Sequence, residues 1–421
     1  MKVVRKICCG MDVHKDIIVA TIASTDGNNV TTYLQKQFST FNYDLLNLLN
    51  WLKQNNCYDV CMESTGKYWI PIFNVLETEL NVFLTHPKYV KAIKGKKTDK
   101  KDSKWIADIF KHDLLKFSFI PPKHIRELRE ISRYRIKLVG MRASEKNRYQ
   151  NCLTVSNIGL GSVFSDPLGK SSRAVLEEVM HSDIITEENI KKLLLKSASK
   201  KSEQVMQAIQ HSHIETDQRF KLEHAMKHLE NLDKYIQDCE VEMIKRCAPF
   251  IDIVKHITQL PGISFVSAMI ILSEIGIDMN QWASDKEVAS WVGVTPQNNE
   301  SANKKKSVRI SKAGQYIKPI LVQCALAAIK CNSEPYFKIK YNRIKKRRGN
   351  KKAIIAIARM LLVSIYHMVK TGENFNPSDY DSFKNPKQNQ SKITTKQALE
   401  HLQSLGVDIS QIQIPEIQQD S

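Results

Sequence analysis

Ile7-Cys8-Cys9-Gly10-Met11-Asp12-Val13, then Ile17-Ile18-Val19-Ala20-Thr21-Ile22-Ala23, then Val30-Thr31-Thr32-Tyr33-Leu34 form the stretch that decides the fold. The second and third runs are separated by Asp26-Gly27-Asn28-Asn29, a turn set. Three β-rich runs so spaced predict an antiparallel meander. Leucines 45, 46, 48, 49 and 52 recur at helical steps, predicting a helix over 43–53 with all five on its buried side. A strand over 58–63, a helix over 68–80, a strand over 82–85 and a basic helical stretch from Tyr89 follow in alternation.

A three-strand meander followed by alternating helix and strand is the order of a ribonuclease-H-like α/β fold. Pro121-Pro122 then marks a boundary. Two long amphipathic patterns follow, over 125–155 and 215–247, with a shorter helical region between them. They read either as a coiled-coil arm that dimerises or as a plain helical bundle. From Ile251 the texture becomes compact and apolar, and after Lys370 it turns polar around Asn376-Pro377 and Asn385-Pro386. The expected division is 1–120 α/β, 121–250 helical arm, 251–375 mostly helical domain, and 376–421 linker and weakly structured tail.

Composition narrows the partners. Against 44 Asp+Glu stand 63 Lys+Arg, a net charge of +19 that favours a polyanion. A membrane surface is the competing anion, but no stretch reads as a span of about 20 apolar residues, so no membrane partner is expected. The start Met1-Lys2-Val3-Val4-Arg5-Lys6 resembles a secretory leader, yet Asp12, His14, Lys15 and Asp16 break its continuation. Nine cysteines without a Cys-x-x-Cys pair read as reduced thiols of a cytoplasmic protein, with no structural zinc.

Four carboxylates suggest the chemistry. Asp12 interrupts the first apolar run, Glu63 closes Val60-Cys61-Met62-Glu63, and Asp99 and Asp102 lie in Lys97-Thr98-Asp99-Lys100-Lys101-Asp102. An acid on a central strand is costly to bury without a cation. Glu63 falls at a strand's C-terminal end, where α/β sheets build ligand sites. Asp99 and Asp102 share one helix face at i and i+3. Such a set suits Mg²⁺, with Mn²⁺ as a substitute, acting on phosphodiesters. The plainer reading makes Asp99 a helix cap with Asp102 in its first turn, and Asp12 the start of a turn toward Asp16. Asp108, further along, reads as a surface acid.

Toward the C-terminus, Leu260-Pro261-Gly262-Ile263 before an apolar run resembles a helix-hairpin-helix turn, whose glycine admits a DNA phosphate, or else a simple helix–helix turn. A polar loop carries Ser301 and then Lys304, Lys305, Lys306, Arg309 and Lys312, a setting for a phosphate. As a nucleophile Ser301 competes equally with Ser307 and Ser311 on chemistry alone. Lys96, Lys97, Arg347 and Arg348, the last two in the run Arg343–Lys352, are further phosphate contacts or a solvated basic face.

Taken together, these residues resemble the DEDD-type insertion-sequence transposases, the bridge-RNA-guided serine/DEDD recombinases, over nearly the whole chain to about Lys370. Gly10-Met11-Asp12-Val13-His14-Lys15, Met62-Glu63-Ser64-Thr65-Gly66 and Thr98-Asp99-Lys100-Lys101-Asp102 carry the first half of the resemblance. Leu260-Pro261-Gly262-Ile263, Gly293-Val294-Thr295-Pro296, Ser301 and Ile310-Ser311-Lys312-Ala313-Gly314 carry the second. The resemblance implies a RuvC-like domain holding Mg²⁺ on Asp12, Glu63, Asp99 and Asp102. It puts Ser301 in the place of the nucleophilic serine that forms a phosphoserine–DNA intermediate. It also implies double-stranded DNA at element ends and target, a non-coding guide RNA, and a homo-oligomer (dimer or tetramer) near the nucleoid. The family's serine is usually followed by glycine, whereas Ala302 stands here. The competing readings are a RuvC-like Holliday-junction endonuclease without a covalent step and a non-catalytic helix-hairpin-helix DNA-binding protein.

Overall fold

The computed structural model describes residues 2–63, 66–90, 99–182, 184–212, 214–296, 299–301, 304–307, 309–377 and 379, without the side chains of 99–100, 299–301 and 304–307. The chain divides into two compact units, Met1–Pro122 and Lys123–Ser421.

The first unit is built on β1 (Ile7–Val13), β2 (Ile17–Thr25), β3 (Thr31–Ser39), α1 (Asn42–Gln54), β4 (Asp59–Glu63), α2 (Trp69–Leu76), β5 (Asn81–Thr85), α3 (Pro87–Val90) and α4 (Asp99–Lys111). The five strands form one sheet in the order β3-β2-β1-β4-β5. The meander is antiparallel, as the sequence predicts, while β4 and β5 run parallel to β1. Side chains alternate across a strand, so β1 feeds two cores. Cys9, Met11 and Val13 pack with Leu45, Leu48, Leu49, Leu52 and Leu76 from α1 and α2. Cys8 faces the other way, onto Ile106, Ala107 and Phe110 of α4. Burial on both faces explains why β1 reads as a continuous apolar run. Leu46 departs from the expectation: it is 53% exposed, because the apolar stripe of α1 is narrower than its leucine count suggests.

Helix α4 runs antiparallel to β1 and lies against it at Gly10. A Cβ added there would stand 2.2 Å from the Ala107 nitrogen and 2.4 Å from the Ser103 oxygen, both backbone atoms. Further along, Val4 and Arg5 N–H groups donate to the Lys111 carbonyl at 2.9 and 3.1 Å. No side chain fits at residue 10 unless the helix lifts. Gly10→Ala is therefore expected to destabilise this unit by about 3 kcal/mol or more, the upper range for overpacking a tight core. Hydrogen exchange checks it: amides of β1 and α4 should lose protection together, and unchanged protection would contradict the packing described.

Among the described residues, the regular structure of the second unit is helical apart from one hairpin. The pair α5 (Lys123–Val155) and α10 (Thr216–Cys247) spans 33 and 32 residues. Between them lie α6 (Leu160–Val163), α7 (Lys170–His181), α8 (Glu187–Leu193) and α9 (Ser202–Ile209). Ion pairs Glu127–Arg246 at 2.8 Å, Arg135–Glu240 at 2.6 Å and Arg142–Asp233 tie the two long helices. Partner numbers fall on one helix as they rise on the other, so the pair is antiparallel. Leu138, Leu232 and Cys239 fill its seam. Its far end is capped by the short helices, through a core including Tyr149, Leu160, Leu176, Val205 and Leu222.

At the near end come α11 (Ile251–Ile257), α12 (Phe265–Ile275), α13 (Asp285–Val292), β6 (Asn299–Ser301), β7 (Lys304–Ser307), α14 (Ile317–Ala328), α15 (Tyr336–Arg348) and α16 (Asn350–Thr371). Buried Glu274 of α12 accepts from the Nε and Nη2 of Arg133 at 2.7 and 2.8 Å. Arg129 donates to the Ser273 and Glu274 carbonyls at 2.9 and 2.7 Å. This bidentate pairing fixes α5 to α12 with more directional specificity than apolar contact alone. The 22-residue α16 is long and apolar enough to meet a membrane-span criterion, contrary to the reading from sequence. Ala353, Ile357, Leu361, Leu362 and Ile365 nevertheless form a helical core face within the unit. The segment after α16 folds back: Phe375 stacks on Phe337 with centroids 5.4 Å apart, and Asp379 accepts from the Tyr336 hydroxyl at 2.9 Å and pairs with Lys340. These contacts join Phe375 and Asp379 to α15.

Candidate functional site

The β1–β4 register pairs Gly10 with Cys61 and Met11 with Met62, so the next step sets Asp12 beside Glu63. By alternation both lie on the α4 face, at the C-terminal ends of two parallel strands. Asp12 is nearly enclosed, its side chain 13% exposed, and His14 Nε2 lies 3.3 Å from its Oδ2. Glu63 and Asp102 are half-buried. Asp99 opens α4 and Asp102 lies in its first turn, the end of the helix that reaches the strands' C-terminal ends. The side chain of Asp99 falls outside the described residues, as do Lys96 and Lys97. The backbone carries Asp12, Glu63 and Asp102 toward one edge, and carboxylate oxygens are the donor type that Mg²⁺ takes. Among the described side chains no three acids, histidines or cysteines draw together as a metal-sized group. The fit thus rests on donor type and backbone placement. Asp108, one of the plainer acids, pairs with Lys111 at 2.8 Å and accepts from the Tyr33 hydroxyl at 2.5 Å.

Behind this edge lies a feature that the sequence reading passed over. Thr21 pairs with Gly10 across β1–β2 and with Gln35 across β2–β3. The hydroxyls of Thr21 and Ser103 are 2.7 Å apart, and Gln35 Nε2 donates to them at 2.7 and 3.1 Å. Ser103 is fully buried and Thr21 is 1% exposed. The available sequence signal was Gly10 itself: a glycine in a strand interior marks close approach of another backbone.

Ser301 belongs to the second unit. It ends β6 and pairs with Lys304 of β7, so the expected polar loop is a β-hairpin, continued by a Pro296–Ile310 bridge. Side chains of Ser301, Lys304, Lys305, Lys306 and Ser307 are outside the described set. Ser311 has a local structural role. Its hydroxyl accepts from Ala313 N–H at 3.3 Å and its carbonyl accepts from Lys318 Nζ at 2.6 Å. Burial pulls the Lys318 ammonium below its ordinary value. Arg309, Lys312, Arg347 and Arg348 are exposed.

Gly262 sits in the turn between α11 and α12 with φ +83°, and an added Cβ would meet the Cys324 oxygen at 2.4 Å and the Ala328 nitrogen at 2.5 Å. Close packing on α14 thus requires glycine, independently of any phosphate. The following helix is already capped, Ser264 accepting from Ser267 N–H. The cleft beside this turn, about 440 Å³, has Cys331, Ser333 and Glu334 on its far wall and no Lys or Arg in its lining.

Comparison with known proteins gives two matched segments. Residues 9–158 match the model of the IS110-type DEDD transposases, described as a transposase. Residues 254–342 match that of the "Transposase IS116/IS110/IS902 family". Between them they cover more than half of the chain. The transposase for insertion sequence element IS1111A of Coxiella burnetii (strain RSA 493 / Nine Mile phase I) is 24% identical over 148 residues, 34% of this chain and 40% of that protein. The match therefore spans well under half of the relative's length. With its carboxylates and its serine hairpin falling inside these two matched segments, the chain belongs to the IS110 family of DEDD transposases.

Proposed function

We propose that this protein is a DNA transposase that cuts and rejoins double-stranded DNA at the ends of an insertion sequence and at its target, using Mg²⁺ or Mn²⁺. One observation carries the reading: Asp12 and Glu63 end neighbouring parallel strands beneath the first turn of α4, where Asp99 and Asp102 stand. The strand order β3-β2-β1-β4-β5, with three antiparallel strands and two parallel ones, supports the ribonuclease-H-like, RuvC-like assignment. When bound, the cation supplies charge neutralisation at the scissile phosphate and lowers the pKa of an attacking hydroxyl. The four carboxylates hold it, and exposed Arg309, Lys312, Arg347 and Arg348 neutralise flanking phosphates.

Ser301 is the nucleophile in this reading. Its Oγ bonds to phosphorus as the bond to one deoxyribose oxygen breaks, and the serine proton ends on that oxygen as a free hydroxyl. A hydroxyl of the recombining strand reverses the step, so phosphodiester energy is conserved. Placing the serine in a basic hairpin supports the assignment, because a hydroxyl there meets the phosphate among Lys304–Lys306. Donor and target choice is assigned to a structured non-coding RNA, and assembly to a dimer or tetramer through the α5–α10 pair.

The test is incubation with element-end DNA, target DNA, Mg²⁺ and RNA transcribed from the element's non-coding flank. Expected are strand cleavage and a protein–DNA species that survives denaturation, both abolished by EDTA. Cleavage with no adduct would favour a junction endonuclease; binding without cleavage would favour a DNA-binding protein.

A further inference from the structure

The end of α4 remote from the carboxylates is bonded to the sheet, Val4 and Arg5 N–H donating to the Lys111 carbonyl and the Tyr33 hydroxyl to Asp108, while its middle packs on an apolar surface. Ile106, Ala107 and Phe110 contact Cys8, Ala23 and Cys61 through apolar packing, with one weak bond from the Cys8 thiol to the Ala107 carbonyl at 3.7 Å. Nearer the carboxylate end, a polar notch at Ser103 interrupts that surface. Gln35, Thr21 and Gly10 are successive cross-strand partners on β3, β2 and β1, forming a row on the α4 face. Gly10 removes the side chain that would hold the helix away. Thr21 and Gln35 receive the Ser103 hydroxyl in a closed set of hydrogen bonds at 2.7, 2.7 and 3.1 Å. Ser103 directly follows Asp102, and Asp12 stands two residues beyond Gly10 on the same sheet face. Fixing Ser103 therefore fixes both the height and the rotation of Asp102 relative to Asp12, since each helical residue turns about 100° and rises about 1.5 Å.

We infer that Thr21, Gln35 and Ser103 are positioning residues that lock α4 in register with β1 and so set the spacing of the metal-binding carboxylates. The inference rests on the carboxylate reading above. Groups that orient ligands from behind commonly contribute 10–100-fold to metal affinity. The notch has that place: it touches no substrate, and it joins the two elements that carry the acids.

Binding of Mn²⁺ to the full-length chain, followed by electron paramagnetic resonance without DNA, tests it. Thr21→Val keeps the side-chain shape and removes the hydroxyl; Thr21→Ser restores it. Ser103→Ala leaves the Gln35–Thr21 bond to satisfy the sheet, which protects the fold if Thr21→Val proves unstable. Expected are a dissociation constant raised roughly tenfold by Thr21→Val and by Ser103→Ala, and a near-native value for Thr21→Ser. Wild-type binding that Asp12→Asn abolishes, but that Thr21→Val and Ser103→Ala leave unchanged, would overturn the positioning role alone. Wild-type protein without Asp12-dependent binding would instead remove the carboxylate reading, and this inference with it.

Discussion

Asp12→Asn is expected to lower DNA strand cleavage by on the order of 10³-fold or more while leaving the fold intact. Asparagine keeps the size and one oxygen of the side chain, and a residue only 13% exposed at this point needs that shape. What it loses is the charge that holds a divalent cation. A metal supplies several kcal/mol of charge stabilisation to phosphoryl transfer, and about 1.4 kcal/mol is worth a factor of ten. Asp12 also neighbours Glu63 in the sheet register, so in metal-free protein removing one negative charge relieves repulsion. The variant should accordingly melt no lower than wild type in EDTA, yet fail to gain stability when Mg²⁺ is added. Asp108→Asn is the matched control. Asp108 is engaged by buried Lys111 and by the Tyr33 hydroxyl, and asparagine keeps an oxygen for both contacts, so cleavage should change less than about threefold. Full cleavage by Asp12→Asn would remove Asp12 from the site.

Ser301→Ala is expected to eliminate the denaturation-resistant protein–DNA adduct and to reduce recombination by on the order of 10⁴-fold or more, the scale seen when a covalent nucleophile is deleted. DNA binding should persist, because Arg309, Lys312, Arg347 and Arg348 are untouched. The alternative serines differ in their setting. Ser311 is tied into its own turn, its hydroxyl accepting from Ala313 N–H and its carbonyl from Lys318. Ser307 sits further down β7, paired with Asn299, whereas Ser301 pairs with Lys304 at the hairpin's end. Peptide mapping of the adduct decides among them. An adduct undiminished in Ser301→Ala and mapped to Ser307 would move the chemistry along the strand.

Much of the first unit was legible in the sequence because burial leaves a local period. Strands over 7–13 and 17–23 and a helix over 43–53 each carry their own alternation or stripe, and the observed elements differ from them mostly at their ends. The same locality explains the errors. Leu46 fits the period of α1 but not the width of its buried face. The hairpin β6–β7 was read as loop because lysines and serines carry no apolar signal for a strand. The stacking of Phe375 on Phe337 likewise has no local trace in the sequence.

The sequence by itself determined the elements, their alternation and the acids at strand ends, since propensity and side-chain period act over a few residues. Tertiary structure alone decided which face those acids share and how α4 is held over them. That depends on sheet order and register: Ser103 meets Thr21 across 82 residues of chain, in a space that exists only because residue 10 is glycine. Hydrogen bonds between groups so distant have no periodic signature, because they form only after the sheet has been assembled and the helix laid upon it.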